Sequence, residues 1–301
     1  MLEPVLHKIN CIDAFGHHMM AYWQWGPDEA THLILCVHGL TRQGRDFDVL
    51  ARAICMNLGN EVKVVCPDVV GRGKSDWLKD ARRYQLPTYL DDITDLIKHL
   101  SPNKLDWVGT SMGGLIGMIF SSETSLINEE KRPNFFTVRR LVLNDVGPSL
   151  EWSALERIGK YVGKTPSFDS IQEGIDALWK MQSSFGTHSQ EEWFSLSEPM
   201  LRKNGDLFLM HYDPAIGEAF RSLTKQTALE SEAFLWSMYD HIKAETLILR
   251  GVESDLLSFS TAHLMTRRGP RAKLIEFEKV GHAPTLISND QVQSVLSFLA
   301  K

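Results

Sequence analysis

A serine hydroxyl is a weak nucleophile at neutral pH, and it attacks a carbonyl carbon only when a base accepts its proton and an anion steadies that base. Residues 104–120, KLDWVGTSMGGLIGMIF, place Ser111 where such chemistry is feasible. Strand-like alternation over 105–109 runs straight through Thr110-Ser111-Met112-Gly113-Gly114 into an apolar stretch at helical spacing. That pattern predicts a strand, a one-residue turn and a helix. Gly109 and Gly113 stand two residues before and two after the serine, the G-x-S-x-G spacing of a nucleophile elbow. A turn this sharp leaves no room for a Cβ at either glycine, and it lifts the hydroxyl to a helix N-terminus, where free N–H groups favour developing negative charge. The same five residues also describe an N-capping serine on a glycine-rich helix. Its partners elsewhere in the chain must therefore decide.

Of the 11 histidines, His282 alone follows a late strand-like run, AKLIEFE at 272–278, through a glycine in a short loop. The expected carboxylate is Asp255, which follows the strand-like ETLILRG at 245–251. Asp145 competes for that role from the end of VRRLVLND at 138–145, and Glu253 is a weaker competitor. Asp145 would otherwise cap a loop before Gly147-Pro148. Ser111, Asp255 and His282 each lie just past the C-terminal end of a strand, the edge where parallel sheets bind ligands. An oxyanion needs two N–H donors beside the serine. Met112 N–H is one candidate. Leu40 N–H is the other, because the buried strand 33–37 ends in His38-Gly39-Leu40-Thr41. His38 is expected to orient that loop by hydrogen bonding.

Strands and helices alternate around these residues in an order that brings their ends together. Residues 5–25 read as a hairpin with His17 and His18 on the surface at its turn. An amphipathic helix is expected over 44–58, a buried strand over 61–68, a helix opening at Pro87, and a last helix over 289–300 capped by Ser288 or Asn289. Between strand and helix lies Val69-Val70-Gly71-Arg72-Gly73-Lys74-Ser75-Asp76, which lacks the four-residue gap between glycines of a phosphate-binding P-loop. Arg72 and Asp76 are expected in local ion pairs there. From 147 to 242 the pattern turns helical, polar and rich in Trp and Phe, with no convincing strand. It divides the chain into a core, 1–146 and 243–301, and an inserted helical cap, 147–242.

Taken together, His38-Gly39, the D-x-x-G-x-G-x-S loop from Asp68 to Ser75, the elbow, the post-strand acid and Gly281-His282 resemble the α/β-hydrolase family over nearly the whole chain outside the cap. The Ser, Asp, His order is similar to that family's. The resemblance implies an α/β fold, with a mostly parallel sheet of about eight strands flanked by helices, and hydrolysis through an acyl-serine. A serine at 111 sets it apart from the haloalkane dehalogenase and epoxide hydrolase branches, which use aspartate.

Composition narrows the remaining classes. At 301 residues, 43% hydrophobic and 23% charged, the chain has the balance of one globular domain with an insertion. A net charge of -6 with no concentrated basic face argues against nucleic acid as a partner. The first residues carry early charges and no apolar run, and nowhere do about 18 uncharged apolar residues follow one another. No signal peptide and no membrane span are expected. Cys11, Cys36, Cys55 and Cys66 lack metal-ligand spacing, so neither disulfides nor zinc are expected, and a reducing cytoplasm fits best. No cofactor is called for, and the partner is a small apolar molecule carrying an ester or related acyl bond. Carbon–carbon bond hydrolysis and cofactor-free perhydrolysis use the same three residues and remain alternatives. So does a hydrolase-like sensor that retains a small molecule for a partner.

Overall fold

A computed structural model describes residues 3–13, 15–126, 136–221 and 223–301. The chain begins with strands β1 (Val5–Asp13), β2 (Gly16–Trp25) and β3 (His32–Val37), helix α1 (Asp48–Leu58) and strand β4 (Val62–Asp68). Helix α2 (Leu86–Leu100), strand β5 (Lys104–Thr110), helix α3 (Met112–Leu126) and strand β6 (Val138–Asn144) follow. The insertion holds α4 (Trp152–Tyr161), β7 (Ser167–Phe168), α5 (Ile171–Met181), α6 (Gln190–Ser197), β8 (Leu201–Asn204), β9 (Leu207–Met210), α7 (Gly217–Arg221) and α8 (Lys225–His241). Strand β10 (Glu245–Gly251), helix α9 (Phe259–Met265), strand β11 (Lys273–Phe277) and helix α10 (Asn289–Leu299) close the chain.

Eight strands form one sheet in the order β1-β2-β4-β3-β5-β6-β10-β11. From β4 onward every pairing is parallel; only the β1-β2 hairpin and its junction with β4 run antiparallel. The long apolar run of β3 follows from burial on both faces. Leu33, Leu35 and Val37 join α2 and α3 residues such as Ile93 and Ile116, and Ile34 and Cys36 join α1 and α10 residues such as Leu50 and Val295. Register then aligns the functional edge. Val37 pairs with Gly109, Thr110 with Asn144, Asn144 with Leu249, and Gly251 with Phe277. The loops after β3, β5, β6, β10 and β11 therefore leave the sheet at one level.

Three expectations are corrected. Residues 147–242 are not purely helical, because β7, β9 and β8 form a small antiparallel sheet there. Their segments are only two to four residues long, too short for alternation to register. His18 is not on the surface: it is buried, with Nε2 at 2.9 Å from Asp92 Oδ2 on α2, whereas its neighbour His17 is exposed. Among the described residues, neither Arg72 nor Asp76 makes a local ion pair. Asp76 Oδ2 accepts from Met19 N–H at 2.9 Å, and Arg72 is fully buried, as described below. No described helix is long and apolar enough to cross a membrane.

Close packing of α3 on the sheet sets the position of its first residue. Trp107 is buried and its indole N–H donates to Gly113 O at 3.1 Å. A Cβ on Gly113 would stand 2.0 Å from Val37 O and 2.9 Å from His38 O, both backbone atoms that cannot yield. Gly113→Ala is therefore expected to cost on the order of 4 kcal/mol or more, seen as a lowered Tm or loss of soluble protein. Gly159→Ala, whose Cβ would meet nothing nearer than Phe220 at 3.7 Å within α4, should leave Tm unchanged or slightly raised.

Candidate active site

Ser111 occupies the single residue between β5 and α3 with φ +51°, a left-handed conformation that costs a non-glycine residue about 1–2 kcal/mol. Backbone bonds hold it there. Its N–H donates to Asn144 O at 3.0 Å, and its carbonyl accepts from Gly114 and Leu115 N–H at 2.9 and 3.1 Å. A Cβ at Gly109 would lie 2.4 Å from Gly113 O, which accounts for the first glycine of the motif as Val37 O accounts for the second.

His282 reaches Ser111 from the loop after β11. Its Nε2 lies 3.0 Å from Ser111 Oγ and its Nδ1 2.7 Å from a carboxylate oxygen of Asp145. A carboxylate only accepts, so Nδ1 carries the proton and Nε2 is left to take one from the serine. Asp145 sits at φ +54° just beyond β6 and is fully buried. Its Oδ1 accepts from Gly251 N–H at 3.0 Å, and its Oδ2 from Ser254 Oγ at 2.6 Å as well as from His282. The structure thus corrects the expectation placed on Asp255. That residue is exposed and forms a two-pronged pair with Arg157 of α4, at 2.6 and 2.9 Å, with no bond to His282. The loop after β10 turns so that Ser254 faces the sheet edge and Asp255 faces the insertion.

The His282 loop is tied on both sides. Asn144 Nδ2 donates to Pro284 O at 2.8 Å and to Thr110 Oγ1 at 3.0 Å, and Gly281 N–H donates to Ser184 O of the insertion at 2.6 Å. Gly251 has no space for a Cβ, which would meet Val280 O at 2.3 Å, so the β10 and β11 loops lie in direct contact.

Beside the serine, three buried side chains hold the 38–42 loop. His38 Nδ1–H donates to Gly39 O at 2.7 Å while Nε2 accepts from Val69 N–H at 3.0 Å, the loop-orienting role expected of it. Burial pushes its pKa well below the usual value. Arg72 donates to Leu40 O at 2.8 Å and Val70 O at 2.7 Å, reaches Met112 Sδ at 3.6 Å, and lies 4.8 Å over the Tyr89 ring. One guanidinium therefore joins Leu40 to Met112, the two residues whose N–H groups are the candidate oxyanion donors. His211, from the insertion, accepts Gly73 N–H on Nδ1 at 2.7 Å and donates from Nε2 to Thr41 O at 3.1 Å. Sequence reasoning missed His211, Ser254 and Asn144 and gave Arg72 a different role, because their roles rest on contacts 30 or more residues away in the chain; the signals on offer were the glycine-rich loop that holds Arg72 and the strand end that carries Asn144 beside Asp145.

Two cavities meet at Ser111 and share Leu40 and Ile158. One of about 560 Å³ is bordered by His282, Tyr161, Phe185 and Tyr212. The other, of about 680 Å³, is bordered by Met112, Leu115, Val146, Phe220 and Leu235. Other aromatics of the insertion pack among themselves, as Trp193 does edge-on to Trp179 at 4.8 Å. Among the described residues, Cys11, His18 and Asp92 are the one group of ligand-type side chains that converges as a metal site would. They lie on the β1-β2 hairpin and α2, and burial pushes the Cys11 thiol up, away from the thiolate that binds metal.

Comparison with known proteins agrees with this architecture. The model of the Alpha/beta hydrolase family matches residues 34–292. The chain belongs to that family and is a hydrolase. It is 42% identical over 300 residues to a 3-hydroxybutyrate-oligomer hydrolase of Cupriavidus necator, covering 98% of each chain. An alpha/beta hydrolase from Novosphingobium aromaticivorans superposes with a TM-score of 0.82 at 28% identity, over 100% of this chain and 99% of that one. A Rickettsia typhi structure superposes with a TM-score of 0.84 at 29% identity, covering 99% of each.

Buried neutral histidines make the site acid-sensitive. Burial lowers the His211 pKa from 6.5 to about 3. The folded value lies below the unfolded one, so the unfolded chain takes up the proton first; the neutral ring's contribution is whole above about pH 6.5 and drains as pH falls. In urea titrations between pH 7 and pH 5, stability should fall with pH, and His211→Asn should flatten that slope by up to about 1.4 kcal/mol per pH unit.

Proposed function

We propose that the protein is a serine esterase working through an acyl-serine intermediate, with short 3-hydroxybutyrate oligomers as its substrate class. The observation that carries this reading is His282 bonded at once to Ser111 Oγ and to the buried Asp145 carboxylate. In the proposed relay, His282 Nε2 takes the Ser111 proton as Oγ attacks the ester carbonyl. Asp145 holds the ring in that tautomer and stabilises the imidazolium. Leu40 and Met112 N–H groups receive the oxyanion, with Arg72 keeping their two segments together. The proton then passes from Nε2 to the leaving alkoxide oxygen, and a water deprotonated by His282 releases the acid and frees the serine. No step calls on a cofactor. Residues 147–242 act as the cap that encloses the two cavities over the serine.

The substrate class is supported by the 42% identical relative named for 3-hydroxybutyrate oligomers and by cavities whose walls are mostly apolar. On p-nitrophenyl butyrate and on the 3-hydroxybutyrate dimer, Ser111→Ala should lose activity by about four orders of magnitude or more with Tm unchanged. Asp145→Asn should cost about 10³- to 10⁴-fold in kcat, and Asp255→Asn less than about tenfold on the nitrophenyl ester. Parent activity in Ser111→Ala, or a vinylogous diketone cleaved faster than any ester, would overturn the assignment.

A further inference from the structure

The two cavities that meet at Ser111 differ in charge. Arg42, Arg157 and Lys164 border the 560 Å³ cavity, and among the described residues no carboxylate does. Among the described residues, Glu232 is the one charged residue bordering the 680 Å³ cavity. In a chain of net charge -6, a cavity whose described walls carry three cations and no acid is not the expectation from composition.

The cavities also differ in their relation to the relay. His282 borders the first and not the second, whereas Met112, beside the oxyanion position, borders the second and not the first. His282 must hand its proton to the oxygen of the departing alcohol, so the alcohol half of the ester lies on the His282 side. The acyl half extends along Met112 and Leu115 into the apolar cavity.

Two of the three cations already have partners. Arg42 is bonded to Asp46 at 2.6 and 2.7 Å and to Leu196 O, and Arg157 is held by Asp255. Lys164 follows α4, is exposed, and makes no ion pair among the described residues. Its ammonium is the charge left over in the leaving-group cavity, with the Tyr161 ring bordering the same space.

We propose that the 560 Å³ cavity is a leaving-group subsite for an alcohol that bears a carboxylate, with Lys164 as the residue that recognises the anion. The enzyme thereby cleaves the ester bond nearest the free acid end of a hydroxyacyl oligomer, releasing one hydroxy acid per turnover. This rests on the esterase reading above. The step balances: the Ser111 Oγ–acyl bond forms, the acyl–alkoxide bond breaks, the serine proton travels through His282 to the alkoxide, and the hydroxy acid leaves carrying its carboxylate. Arg157, restrained by Asp255, supplies background positive potential, and the apolar cavity receives the rest of the oligomer.

The test compares the 3-hydroxybutyrate dimer with its methyl ester, cleavage of the internal ester being followed by chromatography. The parent enzyme should prefer the free acid in kcat/KM by about tenfold at low salt, and the preference should shrink as ionic strength rises. Lys164→Met should reduce that ratio to about threefold or less, and Lys164→Glu should invert it. In a Ser111→Ala background, calorimetry with 3-hydroxybutyrate should show binding weakened about five- to tenfold by Lys164→Met. Equal cleavage of acid and methyl ester by the parent, or a preference retained in Lys164→Glu, would overturn the subsite while leaving the esterase standing. If neither dimer nor p-nitrophenyl butyrate is cleaved, the esterase reading fails and the subsite falls with it.

Discussion

A carboxylate removed from water must be given hydrogen bonds to replace those it loses, and Asp145 is such a group at the centre of this molecule. It is fully buried at the end of β6, and its oxygens accept from Gly251 N–H, from Ser254 Oγ and from His282 Nδ1. Those three donors belong to the end of β10, the loop after it and the loop after β11. Satisfying one buried acid therefore draws three consecutive sheet-edge segments together, and the imidazole has one orientation that completes the set. Nε2 then faces β5, where the elbow presents Ser111. The strain at Ser111 and Asp145, both left-handed, is carried by ladder bonds to Asn144 O and Leu249 O.

Opposite that edge, the 38–42 loop is held by groups that are costly to bury. Arg72 has no carboxylate counter-ion among the described residues and spends its donors on carbonyls and a sulfur while two tyrosine rings face its cation. His38 and His211 stay neutral because burial disfavours the imidazolium, and each satisfies a donor and an acceptor on the backbone. His211 comes from the insertion, as does Asp213, whose N–H donates to Gly71 O. The segment over the sheet edge is thus bonded to the loops that shape it, and the hydrophobic cluster beneath runs unbroken from β3 and α3 to Tyr212 and Trp193.

Placement of the two cavities follows from this frame. Ile158 of α4, Leu40 and Ser111 border both, with the imidazole bordering one and the start of α3 the other. A substrate spanning both would present its scissile bond at the serine, acyl and alcohol halves in compartments of different polarity. Apolar walls with a few fixed polar groups are the usual composition of a small-molecule site.

Local pattern was enough to read the elbow, because a strand that turns into a helix in one residue needs glycines at fixed offsets whatever surrounds it. The buried parallel strands were legible for a similar reason: β3 and β4 are apolar throughout because both faces are covered. Gly281-His282 stood out by its place after a late strand. What only the tertiary structure decided was which acid is hydrogen-bonded to His282. Asp145 and Asp255 follow strands of the same local character, and the choice depends on β6 lying next to β5 in the sheet and on the direction in which the 252–257 loop turns. His18 read as a surface residue, Arg72 as a local ion-pair partner and His211 as nothing in particular for the same cause, since burial of a polar side chain is a property of distant segments closing over it and leaves no mark on its neighbours in sequence. The same closure put the cations on one side of Ser111 and the apolar wall on the other, an asymmetry that spacing along the chain does not encode.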